Sequence, residues 1–277
     1  MLPSRFRLQT ELVVLPPCGT PAPSVFHNLQ FNSGLHDSAL SKMQRFRGRM
    51  YLQDGAIQPA ELTSDGRHVS SVDAQSWHVL SLDGDGKVVA CLRYLEERHA
   101  KGFDDLWVRH APVAACPVLG PRFRSAIETE MKRAKQMRIG FGEVGGWAVA
   151  ESYRGTMEPL RIILATYGLL QLLGSSTGVA TATFRHASAM ILRKIGLTSL
   201  LADGSALPPY YDPYYQCQME VLQFDSRFPN PKYASQVEEF SACLASAPVI
   251  CRDSPSSTIH SQQFPGTWAP VPQWATA

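Results

Sequence analysis

The chain has 277 residues, a hydrophobic fraction of 44% and a net charge of +2, from 26 Lys and Arg against 24 Asp and Glu. That is enough chain to bury a sizeable core in one large or two small domains, and the near-neutral charge argues against a nucleic-acid partner. No apolar run approaches the ~18 residues of a membrane span, no export signal is visible, and six scattered cysteines lack any C-x-x-C or zinc spacing, so the sequence reads as a reduced, cytoplasmic protein.

Residues 1–36 hold a short apolar run, Leu12 to Leu15, and then Pro16, Pro17, Pro21 and Pro23, which reads as an extended arm or loosely attached leader. Ser41 to Leu52 follows as a helix, with Met43, Phe46 and Met50 near helical spacing and Arg45, Arg47 and Arg49 between them. The arginines form either a solvated face or a positive rim for an acidic protein or a carboxylate, with Arg49 the candidate contact. Gly55 to Ala74 is polar, contains Asp65, His68 and Asp73, and reads as a loop or lid. Ser76 to Leu82 and Lys87 to Leu95 are β-rich and flank Asp83-Gly-Asp-Gly86, which is turn chemistry, so they form a hairpin. Arg122 to Arg138 is an amphipathic covering helix.

A strand ending near Val149 is followed by a helix from about Pro159, with the proline in the first turn and Gly174 as its stop. That helix is apolar on most sides and must be covered. Gly178 to Phe184 reads as a returning parallel strand, and Ala187, Ile191 and Ile195 as a second helix. In such a crossover a ligand sits where the strand ends and the helix begins, here Ala150 to Glu158. After a loop and the aromatic turn Tyr210 to Tyr215, Gln216 to Phe224 reads as a last strand and Ser235 to Leu244 as a short helix. The expected organisation is an arm over residues 1–36, a single α/β domain over 37–247 and a disordered tail over 248–277, rich in Ser, Pro, Thr and Gln.

The order strand, Arg-Gly loop, long helix, strand, and then Ala189-Met-Ile-Leu192-Arg-Lys194-Ile-Gly196-Leu197, resembles the core of the GNAT-type N-acyltransferases over roughly residues 45 to 225. The resemblance implies a GNAT-like mixed twisted sheet with helices on both faces. The family's pyrophosphate loop, Q/R-x-x-G-x-G/A, is not kept: aligned on Arg154, its glycine positions hold Met157 and Pro159, which hinder close backbone approach to a phosphate. Two branches tolerate a weaker loop, the acyl-homoserine-lactone synthases and the long-chain N-acyl amino acid synthases. Both usually take the acyl group from acyl carrier protein. The stretch R-F-R-G-R-M-Y is similar to an early helix of the first branch, Asp73 to an acidic residue before its first central strand, and Arg93 to an arginine of its second.

What the resemblance implies is transfer of an acyl chain from acyl carrier protein or acyl-CoA to the amine of an amino acid or small metabolite, with no permanently bound cofactor and no metal. The acyl-pantetheine would lie along Trp147, Ala148 and Val149, and any phosphate would meet Arg154, Gly155 and Thr156 at the helix start. Glu143, in E-V-G-G-W-A-V, is similar to a glutamate of the autoinducer synthases that acts as base through water; its plain alternative is an ion-paired strand start. Glu220 on the last strand is the other acid/base candidate, and it needs a partner if it points inward. Arg93, His186 and Tyr211 are candidate substrate contacts beside Arg49. The pair Gly145-Gly146 replaces the family's Ser-Arg and suggests close approach by something, such as an acyl chain. The last strand is expected to splay from the strand after the central helix and admit the donor. An ordinary CoA-dependent acetyltransferase and a non-catalytic thioester-binding module are the alternatives.

Overall fold

Unbroken apolar runs become strands buried on both faces, and these fix the frame of the structure, a computed structural model that describes residues 10–252. In chain order come β1 (Glu11–Leu15), β2 (Leu29–Phe31), α1 (Ser33–Gln53), β3 (Trp77–Leu82), β4 (Val88–Glu96), the short α2 (Pro112–Ala115) and α3 (Leu119–Met137). Then follow β5 (Gly140–Val149), the short α4 (Glu151–Arg154), α5 (Glu158–Leu172), β6 (Ser176–Thr183) and α6 (Ser188–Ile195). The chain continues with β7 (Thr198–Ser199), β8 (Leu201–Ala202), β9 (Ser205–Ala206), β10 (Tyr210–Asp212), β11 (Cys217–Asp225), α7 (Ala234–Ser246) and β12 (Val249–Cys251).

One sheet runs in the order β10-β11-β6-β5-β4-β3-β1-β12-β2, with β7 added beside β11. The β3–β4 hairpin is antiparallel, and β5 and β6 are parallel neighbours linked by α5, as the crossover pattern requires. The helices cover both faces. On one, α5 and α7 pack over Leu92, Tyr94, Ala180 and Leu222; on the other, α1 packs over Leu80 and Cys91 and α3 over Phe141, Val179 and Val221. The α5 helix is buried nearly all round, which explains why its sequence is apolar on every side.

Three local expectations change. The run at Leu12 is no loose arm: Leu12 to Leu15 are buried, and β1 lies inside the sheet between β3 and β12. Val249–Cys251, expected to open the tail, is a buried strand pairing in parallel with β1 and β2. Both runs are too short to announce themselves, and they pair with each other from opposite ends of the chain. Beyond Arg252 the expected tail lies outside the described residues, as do residues 1–9. Thirdly, α1 starts well before Ser41, where the Asn32 side chain accepts the Leu35 N–H at 2.9 Å and caps it.

The donor wedge is also displaced from its expected place. The last long strand, β11, stays paired with β6 from Asp225↔Thr177 to Met219↔Thr183 and does not splay. Instead β5 and β6 pair only from Gly140↔Ser176 to Val144↔Ala180, after which β5 follows β4 as far as Val149. The register of β5 on β4 slips between Arg93↔Gly145 and Cys91↔Ala148, so Gly146 and Trp147 face the single residue Leu92. This is a β-bulge, which bends its strand and takes one residue out of the ladder. The gap therefore opens between β5 and β6. Its closed end is held by glycines: a Cβ on Gly178 would collide with the Gly142 carbonyl. Gly178→Ala is expected to force the two strands apart and cost about 1–3 kcal/mol, measured by urea unfolding.

Candidate active site

The gap opens into a cavity of about 1160 Å³ that reaches both faces of the sheet. Val144, Trp147 and Val149 of β5 face the α5 side, where Pro159, Ile191 and Leu192 complete the wall. Glu143 and Arg93 lie on the side of α1 and α3, with Arg47 and Tyr51 of α1 and the tyrosines Tyr210, Tyr214 and Tyr215 around them.

Glu143 is 6% exposed. One carboxyl oxygen, Oε1, accepts the Val108 N–H at 2.8 Å, from the 3-10 turn Trp107–His110 that closes over it. Burial pushes this carboxyl up to about 8; the Glu97 carboxylate adds to the rise, while the Val108 N–H and Arg93 oppose it. Glu143 is therefore largely protonated at neutral pH. Once ionised, it is a far stronger base than an exposed glutamate.

Beside it lies a charged cluster. Arg47 is 1% exposed and forks onto Asp73, at 2.9 Å from Nη1 to Oδ1 and 2.7 Å from Nη2 to Oδ2. It also donates to the His68 ring at 3.2 Å and to the His68 carbonyl at 2.6 Å. Burial pushes the Asp73 carboxyl up, but the hydrogen bonds and charge of Arg47 outweigh it and hold it well below the usual carboxylate range. His68 is pushed down to about 4 by burial and by Arg47, so its ring is neutral. Arg93, 7% exposed, donates to the Ser70 hydroxyl at 3.2 Å and reaches Asp73 only at 3.9 Å. Two buried guanidinium groups thus share one carboxylate. Burial and the Arg47 charge both lower the Arg93 pKa. The Nε of Arg93, Nε1 of Trp147 and hydroxyl of Tyr210, all in residues on this cavity, are buried without a partner among the described residues.

The glycine pair at 145 and 146 lines the cavity and lets these arginines come close. A Cβ on Gly146 would stand 3.2 Å from the Arg93 Cβ and 3.4 Å from the Arg47 Nη1, and one on Gly145 would stand 3.4 Å from the Arg93 Nη2. Gly146 also has φ +63°, a conformation that glycine adopts without strain.

Of the residues singled out by sequence, Glu143, Arg93, Trp147, Ala148, Val149 and Arg154 line the cavity. Arg154, however, forks onto Asp54 with two contacts of 2.8 Å and donates to the Val149 carbonyl at 3.1 Å. Gly155 ends α4, and the Thr156 hydroxyl accepts the Glu158 N–H at 3.1 Å; neither lines the cavity. Glu158 itself is fully buried and meets Arg161 at 3.2 Å and Thr10 at 3.3 Å. Glu220 does point inward and has the partner it needs, Arg193, but it lies off the cavity. His186 falls in the turn Arg185–Ala187, and its side chain lies outside the described residues.

Arg49 and Tyr211 do not line the cavity either. Arg49 is exposed on the outer side of α1, and Arg47 is the arginine that faces in. Tyr211 is 56% exposed, whereas its strand neighbours Tyr210 and Asp212 are buried. Arg49→Ala and Tyr211→Ala are each expected to change unfolding free energy by no more than about 0.5 kcal/mol, as exposed substitutions do, measured by chemical denaturation. No group of His, Cys, Asp and Glu that could hold a metal ion occurs among the described residues. No helix among them is long and apolar enough to cross a membrane.

No protein-family model and no curated protein matches the sequence. Solved structures do match the fold. A CoA-dependent acyl-homoserine lactone synthase, BjaI, solved with SAM and isopentyl-CoA, superposes with a TM-score of 0.52 at 15% identity, over 89% of this chain and 94% of that one. FeeM, an N-acyl amino acid synthase from uncultured soil microbes, superposes with a TM-score of 0.47 at 11% identity, over 83% of this chain and 97% of that one.

Proposed function

We propose that the protein is an N-acyltransferase that moves an acyl group from a pantetheine thioester to the amine of an amino acid or a similar carboxylate-bearing metabolite. One observation carries the reading: the opening between two parallel strands, a bulged backbone and a buried carboxyl, Glu143, all meet in a single cavity. Its fold likeness to acyl-homoserine lactone synthase BjaI agrees with this.

In this mechanism the pantetheine arm lies along Trp147, Ala148 and Val149. The thioester carbonyl accepts a backbone N–H released from the ladder by the bulge, which stabilises the developing oxyanion. The neutral amine attacks, the C–N bond forms and the C–S bond breaks. Glu143, ionised, takes the amine proton and returns it to the departing thiolate, so the products are an amide and a free thiol. The amine's carboxylate neutralises the positive charge left where Arg47 and Arg93 share Asp73.

The donor is carrier protein rather than CoA. Arg154 is spent on Asp54, and the buried carboxylate of Glu158 stands at the start of α5, so the arginine and the helix end that would meet a diphosphate are already engaged. All six cysteines are free, which fits the reducing cytoplasm.

The test is product analysis by mass spectrometry after incubation with carrier-protein and CoA thioesters of two to sixteen carbons and pooled amino acids. An N-acyl amino acid from the carrier-protein donor is the expected result. Acetyl transfer from CoA alone would replace the reading with an ordinary acetyltransferase. Binding of thioester with no product from any pair would leave a binding module.

A further inference from the structure

The proposed chemistry uses the Glu143 carboxyl, and a second, half-buried carboxyl, Glu97, stands beside it. Glu97 follows directly on β4, where its N–H donates to the Phe141 carbonyl at 2.9 Å. In the β4–β5 register Leu95 faces Glu143, so Glu97 is the diagonal neighbour of Glu143 on the same face of the sheet. The same 3-10 turn caps both side chains with consecutive N–H groups. Val108 donates to Glu143 at 2.8 Å, and Trp107 to Glu97 at a longer 3.5 Å. The two carboxyl groups also hydrogen-bond to each other. Two carboxylates are acceptors only, so such a bond requires a proton between them.

We propose that Glu97 is a positioning residue of this site, sharing a single proton with Glu143 and thereby setting the pH at which Glu143 becomes a base. The inference rests on the assignment of Glu143 as that base. In the resting pair Glu143 holds the proton and Glu97 carries the charge. Once that proton is lost, Glu143 accepts the amine proton as the C–N bond forms, and gives it to the thiolate as the C–S bond breaks. Glu97 stays ionised throughout, and Glu143 ends as it began.

The other charges around the pair are few. Arg93 faces it from β4, and Asp105 adds repulsion at Glu97 from the turn Phe103–Asp105. Arg109 and His110 end the capping turn, and burial followed by Arg109 pushes the His110 ring down. From β6 the partner of Glu143 is Val179, which is apolar. Burial pushes Glu97 up as well, and Glu97 contributes to the rise at Glu143 by charge and by hydrogen bond. The pair thus titrates as a unit, in two separated steps.

The test is Glu97→Gln, a replacement that keeps an acceptor for the Trp107 N–H. Its kcat/KM is expected to rise with pH along a limb displaced downward by about one unit, a tenfold change in the ionisation constant. Glu97→Asp, which restores a carboxyl, should move the limb back toward the wild-type position. A limb that stays in place or moves upward would overturn the proposal. A second readout needs no substrate: carboxyl carbon NMR on glutamate-labelled full-length protein. Wild type should show two well-separated steps for the pair, and Glu97→Gln a single, earlier step for Glu143. Independent titration of the two carboxyls in the wild type would refute the shared proton even if the variant failed to fold. If no donor and acceptor react, the functional reading falls, while the NMR titration still decides whether the pair exists.

Discussion

Glu143→Gln is expected to lower kcat/KM by roughly 10²–10⁴-fold, the range that a positioned general base contributes, while leaving the fold intact. The side-chain amide is nearly isosteric with the protonated carboxyl, and its oxygen can still accept the Val108 N–H that Glu143 holds at 2.8 Å. Loss of turnover with an unchanged circular dichroism spectrum is the expected pair of results. A fully active variant would remove Glu143 from the chemistry. In the wild type the rate should climb with pH through about 8, because burial keeps the proton on Glu143 up to that point.

Stability should move the opposite way with pH. In the unfolded chain the carboxyl ionises near its ordinary value of 4.5, whereas in the fold it keeps its proton to about 8. Between these limits the folded state binds more protons than the unfolded state, so this group's contribution falls as pH rises. Glu143→Gln removes that dependence. Urea midpoints measured from pH 5 to 8 should therefore fall less steeply for the variant than for the wild type.

The largest effect on stability is expected at Asp73. Its carboxylate receives Arg47 twice, the Gln44 amide at 3.0 Å and the Ser70 N–H at 3.0 Å. Asp73→Ala would leave the Arg47 guanidinium uncompensated at a site 1% exposed to water. Breaking a buried pair in this way costs about 3–5 kcal/mol, measured by urea unfolding at neutral pH. The double variant Arg47→Met/Asp73→Leu should recover part of that loss, because replacing both members of a buried pair by apolar groups can be neutral, while the buried Arg93 loses the carboxylate it shared. It should not recover turnover, since the Arg93 guanidinium then lacks the carboxylate that balances it beside the cavity. The pH sign is opposite to that of Glu143. The folded-state pKa of Asp73 is depressed, so its contribution is present above the ordinary carboxylate range and is lost as pH falls below that range toward the depressed folded-state value.

The crossover around α5 was legible because its signals are local: an apolar helix with proline at its start and a short β-rich run after it. The inward arginine of α1 is legible in the helical period as Arg47, two positions before the candidate Arg49. Met43, Arg47 and Met50 stand at i, i+4 and i+7, so Arg47 shares their buried face and Arg49 cannot. Likewise the two-residue period of a strand places Tyr210 and Asp212 inward and Tyr211 outward, once Tyr210–Asp212 is recognised as a strand rather than a turn.

Other features had no local signal. The bulge and the Glu97–Glu143 diagonal exist only in the register of β4 on β5, which neither strand's sequence specifies alone. Gly145-Gly146 hinted at close approach, but what approaches is fixed by α1 and β4, distant along the chain. The spent Arg154 depends on Asp54, which no spacing rule connects to it.

The seating of β12 between β1 and β2 imposes a schedule on synthesis. The ribosome finishes β1 long before it reaches Val249, a delay of roughly 10–50 s at 5–20 residues per second. Throughout that interval the Leu12–Leu15 strand can pair with β3 but has no neighbour on its other side. A nascent chain therefore carries an open apolar edge until Val249 has been made, the kind of edge on which strands of other chains add. Termination just before Val249 would make that transient edge permanent.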